Sequence, residues 1–214
     1  MKTVGKTTKE RILEATERLL AEHGFEAVTL RDITTAAEVN VAAVNYHFGS
    51  KEKLFEEIQC RYVNPVNDER LRMLELATVN GRVAGLEEIL EAFMRPFLFA
   101  VTRSKMSEQL FFKLMGRCII DQHGDLPDAL LPPFKKVVES FTAALHVAEP
   151  DLPVETVLWR LHYTFGVMAH TLLHGDALRR LTQGACGAPD FEVQLQGMID
   201  FCHAGFHAGK GDPK

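Results

Sequence analysis

The sequence has no uninterrupted apolar run long enough to cross a bilayer. Its best candidate, near Phe93 to Val101, is broken by Arg95 and Pro96, whereas a spanning helix needs roughly 20 apolar residues. No membrane association is expected. Cysteine is scarce: Cys60, Cys118, Cys186 and Cys202 make no CxxC pair and no spacing typical of a metal knuckle or a disulfide framework. Reduced thiols and a cytoplasmic location follow. The opening MKTVGKTTKERI is charged but has no apolar centre, so it does not read as a secretory signal. GxGxxG, Walker A, HExxH and GxSxG are all missing, and no acid or histidine spacing singles out a general acid–base pair. Neither an enzyme nor a cofactor is expected. A positive charge excess is missing too. The chain has a net charge of −5 over 214 residues, and residues 1–62 hold nine Lys or Arg against ten Asp or Glu. Nucleic-acid binding would have to come from local placement of charge, not from overall attraction. Period-2 alternation long enough for a strand is also absent.

What is present is helical punctuation. Thr7-x-x-Glu10 has the form of a capping box, followed by Ile12, Leu13, Thr16, Leu19, Leu20 and His23 at helical period and by Gly24, a residue suited to a left-handed stop. Thr29-x-x-Asp32 opens a second, short helix carrying Ile33, Ala36 and Ala37. Val39-Asn40 makes a turn, Asn40 caps a third short helix, and Gly49 stops it. Ser50 caps a fourth, running from Lys51 to about Ala77 with a possible kink at Asn64-Pro65. After a connection marked by Gly81 and Gly85, apolar helical patterns cover Leu86–Thr102, Met106–Gln122, Asp128–His146, Val154–Leu181 and Phe191–Ala208. The expected fold class is all-α. An N-terminal three-helix unit with the order of a helix-turn-helix domain, residues 1–50, precedes a helical body, residues 51–214.

Two short helices joined by a tight turn behind a longer first helix are the parts of a helix-turn-helix unit. Its reading helix needs an apolar face for docking and a small or polar face that fits a groove about 12 Å wide. In Val39–Leu54, Val44 and Phe48 can face inward. Asn45 can donate to and accept from a base edge, Val41 can touch a thymine methyl, and Ala42 and Ala43 allow close backbone approach. Tyr46, His47 and Lys51 can hold phosphates, helped by the free N–H groups where the next helix starts. Thr29 and Arg31 can reach the same duplex, Arg31 at a phosphate or a guanine edge.

Residues Ile12 to Phe55 resemble the DNA-binding domain of the TetR family. The matching residues are Gly24-Phe25, Thr29-x-Arg31-x-Ile33, Ala36, Val39-Asn40 and the run Val44-Asn45-Tyr46-His47-Phe48-Gly49-Ser50-Lys51. The resemblance implies DNA contacts at Thr29, Arg31, Asn40, Val41, Ala42, Ala43, Asn45, Tyr46, His47 and Lys51. Val41 and Ala42 depart from it, because the family often has polar residues there. It also implies a homodimer on a pseudo-palindromic DNA operator, most often as a repressor, with a small effector in the helical body. The last two helices would pair with a partner's copies. Their stripes are Leu158, Leu161, Phe165, Met168 and Leu172 on one, with Gly166 and Ala169 allowing close approach, and Val193, Gly197, Met198, Phe201, Gly205 and Phe206 on the other. The middle of the chain is rich in Phe and Met. Phe93, Met94, Phe97, Phe111, Met115 and Phe134, with Trp159, His162 and Phe165, can line an apolar pocket. The segment Leu158–Tyr163, with Gly166 and Asp176-Ala177-Leu178, resembles the fatty-acid-responsive branch of the family. That implies a long-chain fatty acid or its acyl-CoA as effector, with Arg95, Arg103, Arg117 or Arg160 pairing with its anionic group.

Two further readings stay open at this point. His170/His174 and His203/His207 are i,i+4 pairs that can share a helix face and bind Zn²⁺, as in a metal-responsive regulator. No carboxylate is clearly placed to complete such a site within one helix, and no metal is expected. A purely structural helical module would bind no specific DNA.

Overall fold

The computed structural model describes residues 6–79, 82–103, 110–111, 114–115, 128–187 and 190–208. Among the described residues all regular structure is helical. In chain order the helices are α1 (Thr8–His23), α2 (Leu30–Ala37), α3 (Val41–Phe48), α4 (Lys51–Ala77), α5 (Leu86–Arg103), α6 (Leu131–Ala148), α7 (Val154–Leu181) and α8 (Phe191–His207). Residues 110–111 and 114–115 are helical as well. The rest of the expected Met106–Gln122 helix, together with Gly81 and Arg117, lies outside the described residues. No described helix is long and apolar enough to cross a membrane.

The N-terminal helices start where side chains satisfy the free N–H groups of a first turn. The Thr7 hydroxyl accepts from the Glu10 N–H at 3.2 Å, and the Thr7 N–H donates to Glu10 Oε2 at 2.8 Å. The same reciprocal pair forms between Thr29 and Asp32, at 3.2 and 2.9 Å. Asn40 Oδ1 accepts from Ala43 N–H at 2.9 Å, and Ser50 Oγ accepts from Lys53 N–H at 3.2 Å. Gly24 (φ 80°) and Gly49 (φ 83°) end α1 and α3 in backbone conformations that glycine adopts without strain. The expected Asp128 start of α6 is a turn instead, and the helix begins at Leu131. Pro132 and Pro133 then fall in the first turn, where proline costs no intrahelical bond. Pro65 and Pro96 sit inside α4 and α5.

The chain packs as two compact units: residues 1–64 with 104–131, and residues 65–103 with 132–214. In the first, α1, α2 and α3 close over Ile12, Leu20, Ile33, Val44 and Phe48, with Leu54, Phe55 and Ile58 of α4 completing the core. In the second, α5 packs on α8 and α7, and α7 on α8. Its buried apolar side chains include Ile89, Phe97, Phe141, Leu161, Met168 and Phe206. The single helix α4 contributes residues to both units.

Candidate nucleic-acid interface

The turn between α2 and α3 fixes how α3 is presented. Helix α2 ends at Glu38, which adopts the left-handed conformation at φ 54° and ψ 49°. An L residue pays for that geometry with roughly 1–2 kcal/mol, and the compensation comes from α1: Arg11 Nη2 donates to the Glu38 carbonyl at 2.6 Å. The turn therefore begins one residue earlier than the Val39-Asn40 pair expected from the sequence.

Helix α3 then shows two faces. Val44 (0% exposed) and Phe48 (7%) dock on the core, while Tyr46 (85%) and Val41 (46%) stand in solvent. Ala42 and Asn45 are exposed too, and Ala43 and His47 are half-buried. Thr29, Arg31 and Asn40 are exposed at the starts of α2 and α3. His47 stands edge-on to Tyr46, ring centroids 5.1 Å apart. Lys51 Nζ lies 5.1 and 5.3 Å from the ring centroids of Phe25 and Phe55, a cation–π arrangement that steadies its stem at the start of α4. All ten side chains expected to meet DNA thus belong to the first unit, on α2, α3 and their caps or at the head of α4. Two acids next to them, Asp32 and Glu52, serve the caps. The Thr29 hydroxyl and N–H hold the Asp32 carboxyl below the usual carboxylate range. The Glu52 N–H and the Ser50 hydroxyl do the same for Glu52. Each negative charge sits at a helix N-terminus, where the macrodipole offsets it.

The residues expected to line a pocket are divided. Phe93, Met94 and Phe97 are buried on α5, and Phe134 and Phe165 are half-buried on α6 and α7, all in the second unit. Phe111 and Met115 are buried in the first unit, with Phe111 edge-on to Tyr62. Trp159 (53% exposed) and His162 are corrections: both lie on the outward face of α7, where Trp159 stacks on Tyr163. At 3.6 residues per turn they cannot share the inward stripe of Leu161, Thr164 and Met168. An open cleft of about 340 Å³ does exist between α6 and α7, lined by Val138, Glu139, Thr142, His146, Val154 and Leu158 among others; none of the expected pocket residues lines it.

The expected dimer residues divide as well. Leu161, Met168, Met198 and Phe206 are buried within their own unit, so they fill its core and present no face to a partner. Phe165 and Leu172 are half-buried. Leu158, Val193 and Phe201 (67% exposed) remain outward, as do Trp159 and Tyr163, which the stripes had not included.

Of the arginines expected to meet an anionic effector, Arg95 is already held by Glu91 (2.7 Å) and by both carboxylate oxygens of Glu192 (2.7 and 2.8 Å). Arg160 caps the end of α8 through the carbonyls of Phe206 and Ala208. The side chains of Arg103 and Arg117 lie outside the described residues. The histidine pairs do form close contacts, with ring centroids 4.7 Å apart in both His170/His174 and His203/His207. Among the described residues no group of three His, Cys, Asp or Glu is placed to hold a metal. Sequence reasoning missed Arg70, a buried arginine on α4. Its signal was position: it falls on the buried stripe Val66, Arg70 and Leu74.

Comparison with known proteins bears on both ends of the chain. Residues 12–58 match the model of bacterial regulatory proteins of the tetR family, and residues 91–205 match that of the tetracyclin repressor-like C-terminal domain. The transcriptional repressor AcnR of Corynebacterium glutamicum is 33% identical over 103 residues, 48% of this chain and 50% of that protein. The repressor KstR of Rhodococcus jostii is 30% identical over 122 residues, 52% of this chain and 58% of its own length. The chain thus spans about half the length of the curated relatives it matches. In fold it is similar to the TetR family regulator PfmR of Thermus thermophilus, with a TM-score of 0.59 at 19% identity over 94% of this chain and 99% of that one. It is also similar to AibR, solved in complex with isovaleryl coenzyme A and operator DNA, with a TM-score of 0.65 at 19% identity over 91% and 97% of the two chains. With the second of the two family models alone covering more than half of the sequence, and the capped helix-turn-helix geometry lying within the span of the first, the chain belongs to the TetR family of bacterial regulatory proteins.

Proposed function

We propose that this chain is a cytoplasmic, DNA-binding transcriptional repressor. It acts as a homodimer on a pseudo-palindromic operator and leaves it when a small, largely apolar effector binds the helical body. Residues 1–50 form the reading domain, and residues 51–214 bind the effector and the partner. The observation that carries this is the outward face of α3. It is small and polar at Ala42 and Asn45, carries Tyr46 and His47 on the same helix, and is held by caps on α2, α3 and α4, with Arg31 exposed at the head of α2. Asn45 and Val41 read base edges, Ala42 and Ala43 let the backbone approach, Arg31 meets a phosphate or a guanine edge, and Thr29, Asn40, Tyr46, His47 and Lys51 grip phosphates. The outward apolar residues of α7 and α8 support the dimer, since two half-sites need two readers. The buried Phe93, Met94 and Phe97 support an apolar effector, a long-chain fatty acid or its acyl-CoA. The fold of AibR accommodates both a coenzyme A thioester and operator DNA, which fits this pairing.

The test is fluorescence anisotropy of labelled DNA from upstream of this protein's gene, followed by a site selection from random sequence. Saturable binding that outcompetes scrambled DNA is expected. Asn45→Ala should lower discrimination at one base pair per half-site by about 1–3 kcal/mol. The reading fails if the selection yields no preferred sequence, or if Asn45→Ala and Tyr46→Ala leave binding unchanged.

A further inference from the structure

Arg70 is an arginine where an apolar residue is expected. It is 3% exposed and lies between Val66 and Leu74 on the inward side of α4. Its Nε–H donates to the Phe93 carbonyl at 2.8 Å and Nη1 to Asn67 Oδ1 at 3.0 Å, while Nη2 meets only the Met168 sulfur at 3.8 Å. A guanidinium has five N–H donors; three face neutral acceptors, one of them a weak thioether. Other arginines of the chain are matched to acids: Arg72 to Glu69, Arg82 to Glu88, Arg95 to Glu91 and Glu192. Among the described residues no carboxylate pairs with Arg70. Burial alone pushes it down to about 9, which leaves it charged at neutral pH. The adjoining amide is incomplete in the same sense, because Asn67 is 1% exposed and its Nδ2 has no hydrogen-bond partner among the described residues.

An unneutralised cation beside an unmet donor in a buried position is costly to fold. One oxyanion would answer both. The surroundings define the rest of its carrier. The Phe93 ring lies 4.3 Å from the guanidinium carbon and stands edge-on to Phe141, with centroids 5.2 Å apart, and both rings and Met168 are buried. Methionine is flexible and its sulfur a poor acceptor, so an entering oxygen displaces it from Nη2 at little cost.

We propose that Arg70 and Asn67 bind the anionic group of the effector, an oxyanion carried on an apolar tail that packs against Phe93, Phe141 and Met168. This rests on the effector reading above and deepens it. The oxyanion is either a free carboxylate or the phosphate of a thioester.

The experiment is titration calorimetry and thermal melting of the full chain with dodecanoate, dodecanoyl-CoA, dodecanol and methyl dodecanoate. It uses wild type, Arg70→Lys and Arg70→Gln. At least one of the two anionic compounds should bind wild type roughly thirtyfold or more tightly than the neutral pair, the range for a buried charge pair that loses one partner. Which of the two it is identifies the source of the oxyanion. Arg70→Gln should level the series, and Arg70→Lys should restore part of the preference, which a merely structural arginine would not do. Should Arg70→Gln fail to fold, the wild-type series and Arg70→Lys decide. Equal binding of acid and neutral compounds by wild type, or an unchanged preference in Arg70→Gln, overturns the assignment and leaves an apolar effector standing. Binding of none of the four overturns both; operator binding is scored separately by anisotropy.

Discussion

Glu38 and Glu17 show how much a single position can depend on distant chain. Glu38 holds the left-handed turn into α3, and the Arg11 guanidinium on its carbonyl compensates for that conformation. Glu38→Gly should therefore raise stability by about 1 kcal/mol in urea melts and leave operator affinity unchanged; a loss of stability would show that the glutamate side chain itself supports the turn. Glu17 is a buried carboxylate. Desolvation raises its pKa above the usual range, against the opposing pull of Arg61 at 3.3 Å and a hydrogen bond with Tyr62. The folded state then holds the proton more tightly than the unfolded chain does. Glu17 therefore costs least at acid pH, and its stability contribution falls as pH rises through the folded pKa. Glu17→Gln should be more stable than wild type near pH 8, with the gain shrinking towards about pH 4 in paired urea titrations. A gain independent of pH would mean that the carboxyl does not titrate as its burial implies. Legibility at this scale followed locality. Thr7, Thr29, Asn40 and Ser50 could be read as caps because their partners lie three residues on. Glu38 could not, since Arg11 lies 27 residues away, nor could Arg70, whose meaning depends on what packs around α4.

For whole helices, periodicity carried the reading as far as amphipathic helices go. The inward pair Val44 and Phe48 was recoverable from α3 because its two faces differ sharply. Helix α7 resisted because its apolar residues surround it: Leu161 and Met168 fill the core while Leu158, Trp159 and Tyr163 face out. A stripe drawn through one face therefore mixed core with surface. Glycine separates them. A Cβ added at Gly166, Gly197 or Gly205 would meet nothing within 4 Å in the single chain, yet a glycine inside a helix costs roughly 1 kcal/mol against alanine. That cost is explained if a partner's helices approach closely there, beside the exposed Phe201. Phe201→Arg should leave helix content intact and convert the protein to a monomer in sedimentation at micromolar concentration, with loss of full-operator binding. Gly197→Ala should weaken the dimer while stabilising the isolated chain. A Phe201→Arg protein that sediments as a dimer would move the interface elsewhere.

Across the whole molecule, the proposed dimer would turn one substitution into two. The net charge of −5 offers DNA no general attraction, so affinity depends on a few placed cations. Lys51 is fixed at the head of α4 by Phe25 and Phe55. Each phosphate contact contributes about 0.9 to the slope of log affinity against log salt. If two copies of Lys51 bind one palindrome, Lys51→Met, which keeps the apolar stem on its rings, lowers that slope by about 1.8 on a full operator. The same change on a half-site that binds one reader lowers it by about 0.9. Equal changes on the two DNAs would mean that the copies do not engage symmetrically, and no change would remove Lys51 from the phosphate contacts. The family resemblance was open to sequence analysis because its motifs lie within residues 12–58, and the helical class because caps and apolar periods are local along the chain. The proposed partner face and effector site were not, since each would be assembled from helices far apart in the chain. The ratio of the two salt slopes measures what the sequence leaves implicit, the number of chains that act on one operator.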